Sequence, residues 1–365
     1  MIDAGAESLS ARLHARLLAA IAAAGGWLPF DRFMAMALYE PGLGYYARGG
    51  RLFGAMPASG SDFVTAPELT PFFGRALARQ VAQALDAAGA DEVVEFGAGS
   101  GALAAQLLDT LGERVRRYSI VDLSASLRRR QAERLAAWGE RVRWLDAWPT
   151  ALHGVVVGNE VLDAMPVQLL HWDGAQWFER GVAAPGGAFA WADRATELRP
   201  PVTGPFEPGL VTEIHPQARA WIRTLAEHLR RGAVFLFDYG FPEAEYYHPQ
   251  RSAGTLMCHR AHRADSDPLA DFGDKDITAH VDFSAIALAA QDAGLDVIGY
   301  TSQARFLLNC GLLELLAGAD LHGTAAAQKL LAEHEMGELF KVIGLARGVD
   351  FDPIGFRVGD RSHRL

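Results

Sequence analysis

Residues 93–101 read Val-Val-Glu-Phe-Gly-Ala-Gly-Ser-Gly, an apolar run that stops at three spaced glycines. The Ala/Leu-rich residues 102–111 follow at once, so the stretch predicts a strand, a tight loop and a helix in that order. Gly97, Gly99 and Gly101 allow tight backbone turns and close ligand approach, and the helix start turns free N–H groups toward the same point. That construction suits a nucleotide-like ligand. The spacing Gly97-x-Gly99-x-x-Ala102 also satisfies a dinucleotide fingerprint. On these residues alone, a nicotinamide cofactor, an adenosine-containing methyl donor and a plain glycine turn are all open.

Working outward, short apolar runs alternate with helical stretches: strands at 118–121, 142–145 and 155–157, with a helix over 124–137. The alternation returns with a helix at 216–230, a strand at 233–237, a helix at 282–293, a strand at 296–300, helices across 303–334 and a last strand at 341–346. It predicts an α/β fold, a mostly parallel sheet with helices on both faces. Upstream, Ser8 is placed to cap a helix that runs to the Gly25-Gly26 stop. Residues 27–66 mix aromatics with turn formers and read as ligand-facing loops, and a further helix spans 67–85, opened by Pro67. A hairpin over 169–172 and 176–180 turns at Asp173-Gly174, with a Pro/Gly-rich tract to 210. The expected organisation is therefore an N-terminal helical and loop region over 1–88 covering the cofactor site and a core of 89–166 and 211–365. Insertions at 167–210 and 241–280 would form a substrate-side subdomain.

The chain has 365 residues, 50% of them hydrophobic, enough for a large core. With 44 acidic against 34 basic side chains, the formal charge of −10 draws nothing toward phosphate backbones, so a nucleic-acid partner is not expected. Lys275, Lys329 and Lys341 are the only lysines, and the arginine and alanine excess suggests a GC-rich bacterial genome. Cys258 and Cys310 lack the number and spacing of a disulfide framework or zinc site. The longest uncharged run near the start, 17–30, is too short to span a membrane and contains two glycines and a proline. No cationic start precedes an apolar block, so a cytoplasmic protein is expected. Oligomeric state is left open.

The acids fall at strand ends. Asp122 closes the second predicted strand, where a carboxylate binds the ribose hydroxyls of NAD or of an adenosine-type methyl donor alike. Glu95 and Asp146 add acceptors for an ammonium and an adenine amino group; for Asp146, an exposed loop acid is the competing reading. Asn159, Glu160 and Asp163 cluster in Gly158–Pro166, at the sheet edge where ligands bind in open α/β folds. If that segment is helical, Glu160 and Asp163 share a side. Asp238 reads equally as a site acid or a sheet-end cap. His259, His262 and His280 show no metal-ligand spacing, so no metal is expected. Tyr39, Tyr45 and Tyr46 suit either an aromatic wall for a cation or loop packing.

Taken together, these motifs resemble the MidA-like S-adenosylmethionine-dependent methyltransferases, which include an assembly factor of mitochondrial respiratory complex I. The resemblance rests on 33–46, Gly60-Ser61-Asp62-Phe63-Val64-Thr65-Ala66-Pro67-Glu68, 95–101, Asn159-Glu160 with Asp163-Ala164-Met165-Pro166, Asp238-Tyr239-Gly240, 254–256, 276–283 and 336–342. Asp122 stands where the family usually has Glu, and Met165 where Leu is usual. The resemblance implies a class I methyltransferase, Rossmann-like fold with S-adenosyl-L-methionine as cofactor and protein arginine methylation as the activity, on a complex I subunit or similar protein. It implies that Thr65, Pro67 and Glu68 fold over the donor, and that Glu95, Gly97, Gly99, Gly101, Asp122, Asp146 and Asn159 bind it. Glu160 and Asp163 would grip the acceptor guanidinium. A methyltransferase with a small-molecule acceptor and a non-catalytic assembly protein on the same fold are the alternatives.

Overall fold

The apolar runs form one mostly parallel sheet in the computed structural model, which describes residues 8–48, 65–122, 124–260 and 263–365. Its main strands are β1 (Glu92–Phe96), β2 (Arg117–Val121), β3 (Val142–Leu145), β4 (Leu152–Asn159), β5 (Leu229–Phe241), β6 (Asp296–Ser302) and β7 (Phe340–Arg347). They lie in the order β3-β2-β1-β4-β5-β7-β6. The pairings from β3 through β5 are parallel, and β7 runs antiparallel to both of its neighbours. Val281–Asp282 adds a two-residue parallel strand beside Gly240 and Phe241.

Because side chains alternate along a strand, the sheet has two apolar faces. Val93, Val155, Val157, Phe235 and Phe237 pack on one face against the helices Phe72–Ala88 and Ala102–Leu111. Val94, Phe96, Val156, Val234 and Leu236 pack on the other against Pro216–His228 and Phe283–Asp292. Each large side chain so buried contributes about 1.5–3 kcal/mol before the entropy of ordering it is counted. Both flanks being covered explains why these strands read as unbroken apolar runs. The chain moves from β1 toward β3, then crosses back to β4, so a crevice opens between the carboxyl ends of β1 and β4. Register sets Phe96 opposite Gly158 and Asn159 opposite Phe237, which brings the glycine loop, the Glu160 turn and Asp238 to the same edge.

Outside this sheet the architecture departs from the sequence reading. Instead of loops throughout 27–66, Phe30–Tyr39 is a helix, and Leu28–Pro29 pairs with Gly181 and Val182 of the strand Trp177–Ala183. That strand also pairs with Gln168–Trp172 and Ala190–Ala195. Val211–Ile214, expected in the core, completes this antiparallel sheet instead. The 241–280 segment carries a three-stranded sheet of Met257–Arg260, Arg263–Asp265 and Asp276–Thr278. Leu13, Leu17, Phe30, Phe33, Leu169, Val182, Cys258 and Ile277 share one apolar cluster, so three remote stretches of sequence build one lobe. The helix expected over 67–85 is two pieces, Ala66–Leu69 and Phe72–Ala88. Pro71 forces the break, because its ring disfavours a helical Thr70, which is extended at φ −163°, ψ 145°. The quoted residues 60–64 and His262 lie outside the described residues.

Candidate active site

A cavity of about 650 Å³ occupies the crevice, floored by the glycine loop and roofed by the second lobe. Gly97 and Gly99 line it with φ of 63° and 54°, left-handed values that favour glycine. The Gln131 side-chain amide donates to the Gly99 carbonyl (2.9 Å) and to Asp122 Oδ2 (2.7 Å), tying the loop to the end of β2. Asp122 Oδ1 accepts the Ser124 N–H at 2.9 Å, and burial raises its pKa against these bonds. Gly101 caps Ala102–Leu111 behind the lining, facing Gln131. Glu95 is 2% exposed and accepts the Tyr118 hydroxyl at 2.7 Å; burial pushes its pKa up to about 8.

Thr65, Pro67 and Glu68 reach the cavity from the short helix Ala66–Leu69. The Thr65 side chain makes no helix-capping bond. Glu68 accepts from the Ser100 hydroxyl and from Arg134 (2.9 Å), which fastens this segment to the glycine loop. Among the expected site acids, Asp146 is the one that the structure does not bring in: its side chain is 91% exposed and paired with Arg128. Arg128 is itself anchored on the carbonyls of Asp122 (2.9 Å) and Leu145 (2.7 Å), so the pair stays outside the cavity lining.

At the end of β4, the chain turns sharply instead of forming the helical turn considered for 160–165. Glu160 has φ 55°, a strained value for a residue with a Cβ, and its N–H bonds the Phe237 carbonyl at 2.9 Å. Asp238 Oδ2 accepts the N–H groups of Val161 (3.1 Å), Leu162 (2.9 Å) and Asp163 (3.3 Å), so it holds the turn as a cap. The Glu160 carboxylate accepts the Asn159 amide at 2.9 Å and a backbone N–H from Ala66. Asp163 accepts the Tyr239 hydroxyl through Oδ2, while its buried Oδ1 has no hydrogen-bond partner among the described residues. Asn159 Oδ1 is in the same position. Burial, with Asp163 beside it, pushes Glu160 up to about 8, and burial pushes Asp163 to about 6.

Asp31, Arg32 and Gln217 line the cavity without having been singled out, and so do two further residues, Asp276 from the second lobe and Tyr239. Both sit in quoted motifs, as polar residues beside apolar strand positions, and that setting was the available signal. Trp148 and Trp221 form an aromatic wall with Phe96, at centroid distances of 4.7 and 5.1 Å from it. They are lone aromatics in unrelated segments, with no pattern to mark them. Tyr39 and Tyr46 line the cavity with rings stacked at 5.5 Å, whereas Tyr45 is buried in the second lobe's core. His259 lines the cavity and His280 does not; no His/Cys/Asp/Glu group among the described residues could hold a metal ion. No described helix is long and apolar enough to cross a membrane.

These donors fit S-adenosyl-L-methionine. Phe96, Trp148 and Trp221 give a wall suited to a flat base, Asp122 at the end of β2 is a carboxylate suited to a ribose diol, and Glu95, Glu160 and Asp163 are buried lining acids suited to a cationic ligand. A seven-strand order of this kind with an acidic, glycine-floored cavity at its switch point defines a Rossmann-like methyltransferase. Comparison with known proteins agrees. The profile of an S-adenosyl-L-methionine-dependent methyltransferase family matches residues 76–301. A Burkholderia thailandensis protein solved bound to S-adenosyl-homocysteine is 53% identical, with a TM-score of 0.94 over 98% of this chain and 97% of its own. Protein arginine methyltransferase NDUFAF7 homolog, mitochondrial, of Drosophila melanogaster is 26% identical over 95% of this chain and 86% of its own length. The Danio rerio NDUFAF7 is 27% identical over 79% and 74%. The chain belongs to the MidA-like family of S-adenosyl-L-methionine-dependent methyltransferases.

Proposed function

We propose that the enzyme methylates an arginine guanidinium of a protein acceptor, a respiratory complex I subunit or a similar protein, with Glu160 and Asp163 gripping that group. The observation that carries the reading is the unpartnered Asp163 Oδ1, buried beside Glu160 at the cavity. A buried carboxylate oxygen with no donor is costly, and a cation supplying planar N–H groups removes the cost. Guanidinium is permanently charged, weakly hydrated and shaped for carboxylates. That the mitochondrial relatives are protein arginine methyltransferases by name supports arginine as acceptor.

When bound, S-adenosyl-L-methionine supplies an electrophilic methyl group on a sulfonium. The chain's part is mainly orientation. Gly97, Gly99 and Gly101 shape the loop that accepts the donor, Glu95, Asp122 and Asn159 fix its polar ends, and Thr65, Pro67 and Glu68 cover it. Asp146 takes no part in this arrangement. Residues 8–48 and the insertions 167–210 and 241–280 form the acceptor side. As the N–CH₃ bond forms and the S–CH₃ bond breaks with its electron pair going to sulfur, the departing guanidinium proton passes to the Glu160 or Asp163 carboxylate. The bound guanidinium keeps these carboxyls charged, and burial, which raises their proton affinity, makes them ready acceptors as the proton leaves.

The test incubates the purified enzyme with methyl-labelled S-adenosyl-L-methionine and an extract of cells lacking its gene. Label is expected in methylarginine of a protein band. Label in a small molecule or another residue type would overturn the reading, as would donor binding without turnover on any acceptor. Glu160→Gln should lower transfer by at least about 100-fold, or roughly 3 kcal/mol, with S-adenosyl-homocysteine affinity kept. Lost affinity would reassign Glu160 to the donor.

A further inference from the structure

We propose that a second cavity, walled by Phe241 and the loop 248–254, is an exosite that binds one carboxylate of the protein acceptor through Arg251; this rests on the protein-arginine reading above. The cavity holds about 490 Å³ beside the carboxyl end of β5, and Glu245, His248, Gln250, Arg251 and Ser252 supply its polar side chains. Its wall is fixed by backbone bonds. The Arg251 N–H closes a turn on the His248 carbonyl at 2.8 Å, and the Val211 N–H bonds the Ser252 carbonyl at 2.9 Å. Just beyond, the Thr255 N–H bonds the buried carboxylate of Glu213 at 2.8 Å. The guanidinium of Arg251 lies over the Phe241 ring, 4.4 Å from its centre, a contact that uses none of its N–H donors. Its Nε is buried without an acceptor, and Glu245, the acid of the cavity wall, is paired with Arg364 instead.

Charge and position name the occupant. Lys341 Nζ stands 5.8 Å from the centre of the same ring, and its acid partner, Glu338, also serves Arg361. Arg251, Lys341, Arg361 and Arg364 are thus set against only Glu245 and Glu338, a positive excess on a chain of net charge −10. The neighbouring His280 feels it: burial, with the charges of Arg251 and Lys341, pushes its pKa down to about 4. A guanidinium short of acceptors takes a planar anion through paired N–H bonds, which a carboxylate provides. A doubly charged phosphate suits the cavity less, because Glu245 shares its wall. The active cavity is close by. Tyr239 lines it and bonds Asp163, and the His280 ring stands edge-on to both Tyr239 and Phe241, 5.2 Å from each. Extended chain rises about 3.3–3.6 Å per residue, so an acid about two to four residues from the methylated arginine spans those ring spacings.

The test titrates the full chain, saturated with S-adenosyl-homocysteine, by calorimetry. The ligands are the arginine probe Nα-acetyl-arginine amide and glycine peptides carrying one arginine with a glutamate, glutamine or phosphoserine at those spacings on either side. The best glutamate peptide should bind the wild type about five- to tenfold more tightly than its glutamine twin. Arg251→Gln should erase that advantage, with affinity for the glutamine twin, the arginine probe and S-adenosyl-homocysteine unchanged. Ser252→Glu, which sets a competing carboxylate in the same wall, should erase it too, and it decides the matter if Arg251→Gln fails to fold. Equal binding of the twins at every spacing, in a wild type that binds the arginine probe, overturns the exosite and leaves the arginine reading standing. An advantage that survives in folded Arg251→Gln overturns the assignment to Arg251, and a phosphoserine peptide that binds more tightly than the glutamate one overturns the choice of a carboxylate. A wild type that ignores the arginine probe overturns the arginine reading and the exosite with it.

Discussion

Asp238 shows how one residue can be essential to a site it does not enter. Its carboxylate collects three successive N–H groups from the Glu160 turn, and burial raises its pKa well above the usual range, with Asp163 and Glu160 adding to the rise. Those three donors oppose the shift and favour the charged form. A cap at the sheet end was one of the two roles its sequence position suggested, and the bonds assign it that one. The positive φ of Glu160 was not legible, because nothing in Gly158–Pro166 marks a non-glycine residue for the left-handed region. Asp238→Asn removes the charge and leaves one acceptor oxygen for the four N–H groups that the two carboxylate oxygens now serve, setting an amide N–H against one side. It should lower stability by about 2–4 kcal/mol in urea unfolding and loosen Glu160 from its place. An unchanged urea midpoint would mean that the turn holds its shape without the cap.

The elements divide by how local their cause is. Strands β1, β4 and β5 were legible because both faces are buried, which writes them as unbroken apolar runs bounded by glycine or acid. In the second lobe the Asp173-Gly174 hairpin and the Ser8-capped helix were legible, whereas Leu28–Pro29 and Asp276–Thr278 are too short to carry a period and form only by pairing with remote segments. The same distinction applies to the site: Gly97, Gly99, Glu95, Asp122 and Asn159 follow strand ends, whereas Asp276 arrives through tertiary contact. Gly181 is where the N-terminal segment meets the accessory sheet. A Cβ there would lie 2.4 Å from the Leu28 carbonyl oxygen and 2.5 Å from the Trp27 ring. Gly181→Ala should therefore cost about 1–3 kcal/mol and open residues 8–48 to protease, with arginine binding weakened through Tyr39 and Tyr46. If proteolysis and binding match the wild type, the N-terminal segment does not depend on this pairing.

At the scale of the whole molecule, the buried acids link stability, ligand binding and pH. Glu95 and Glu160 are pushed up to about 8, above the ordinary value of 4.5 that applies to the unfolded chain. Between those values the unfolded state releases protons that the folded state keeps, so stability is full at low pH and falls as pH rises toward 8. His215 and His280, lowered to about 4 by burial, act in the opposite sense, but only between about 4 and their ordinary 6.5. Above pH 6.5 the histidines no longer act, and Glu95, Glu160 and the raised Asp238 set the slope, the two glutamates alone costing ligand-free protein on the order of 3 kcal/mol between pH 6.5 and 8. Glu160→Gln should flatten that slope in thermal unfolding, and an unaltered slope would show that Glu160 titrates normally. The same linkage predicts the response to a cation. A guanidinium beside Glu160 and Asp163 stabilises their charged forms, so the arginine probe should expel up to about one proton at pH 7 and bind more tightly as pH rises from 6 to 8. Binding enthalpies measured in two buffers of different ionisation heat read that proton directly. A difference of zero would mean that both acids are already charged, and that the cavity awaits its acceptor as an open anion.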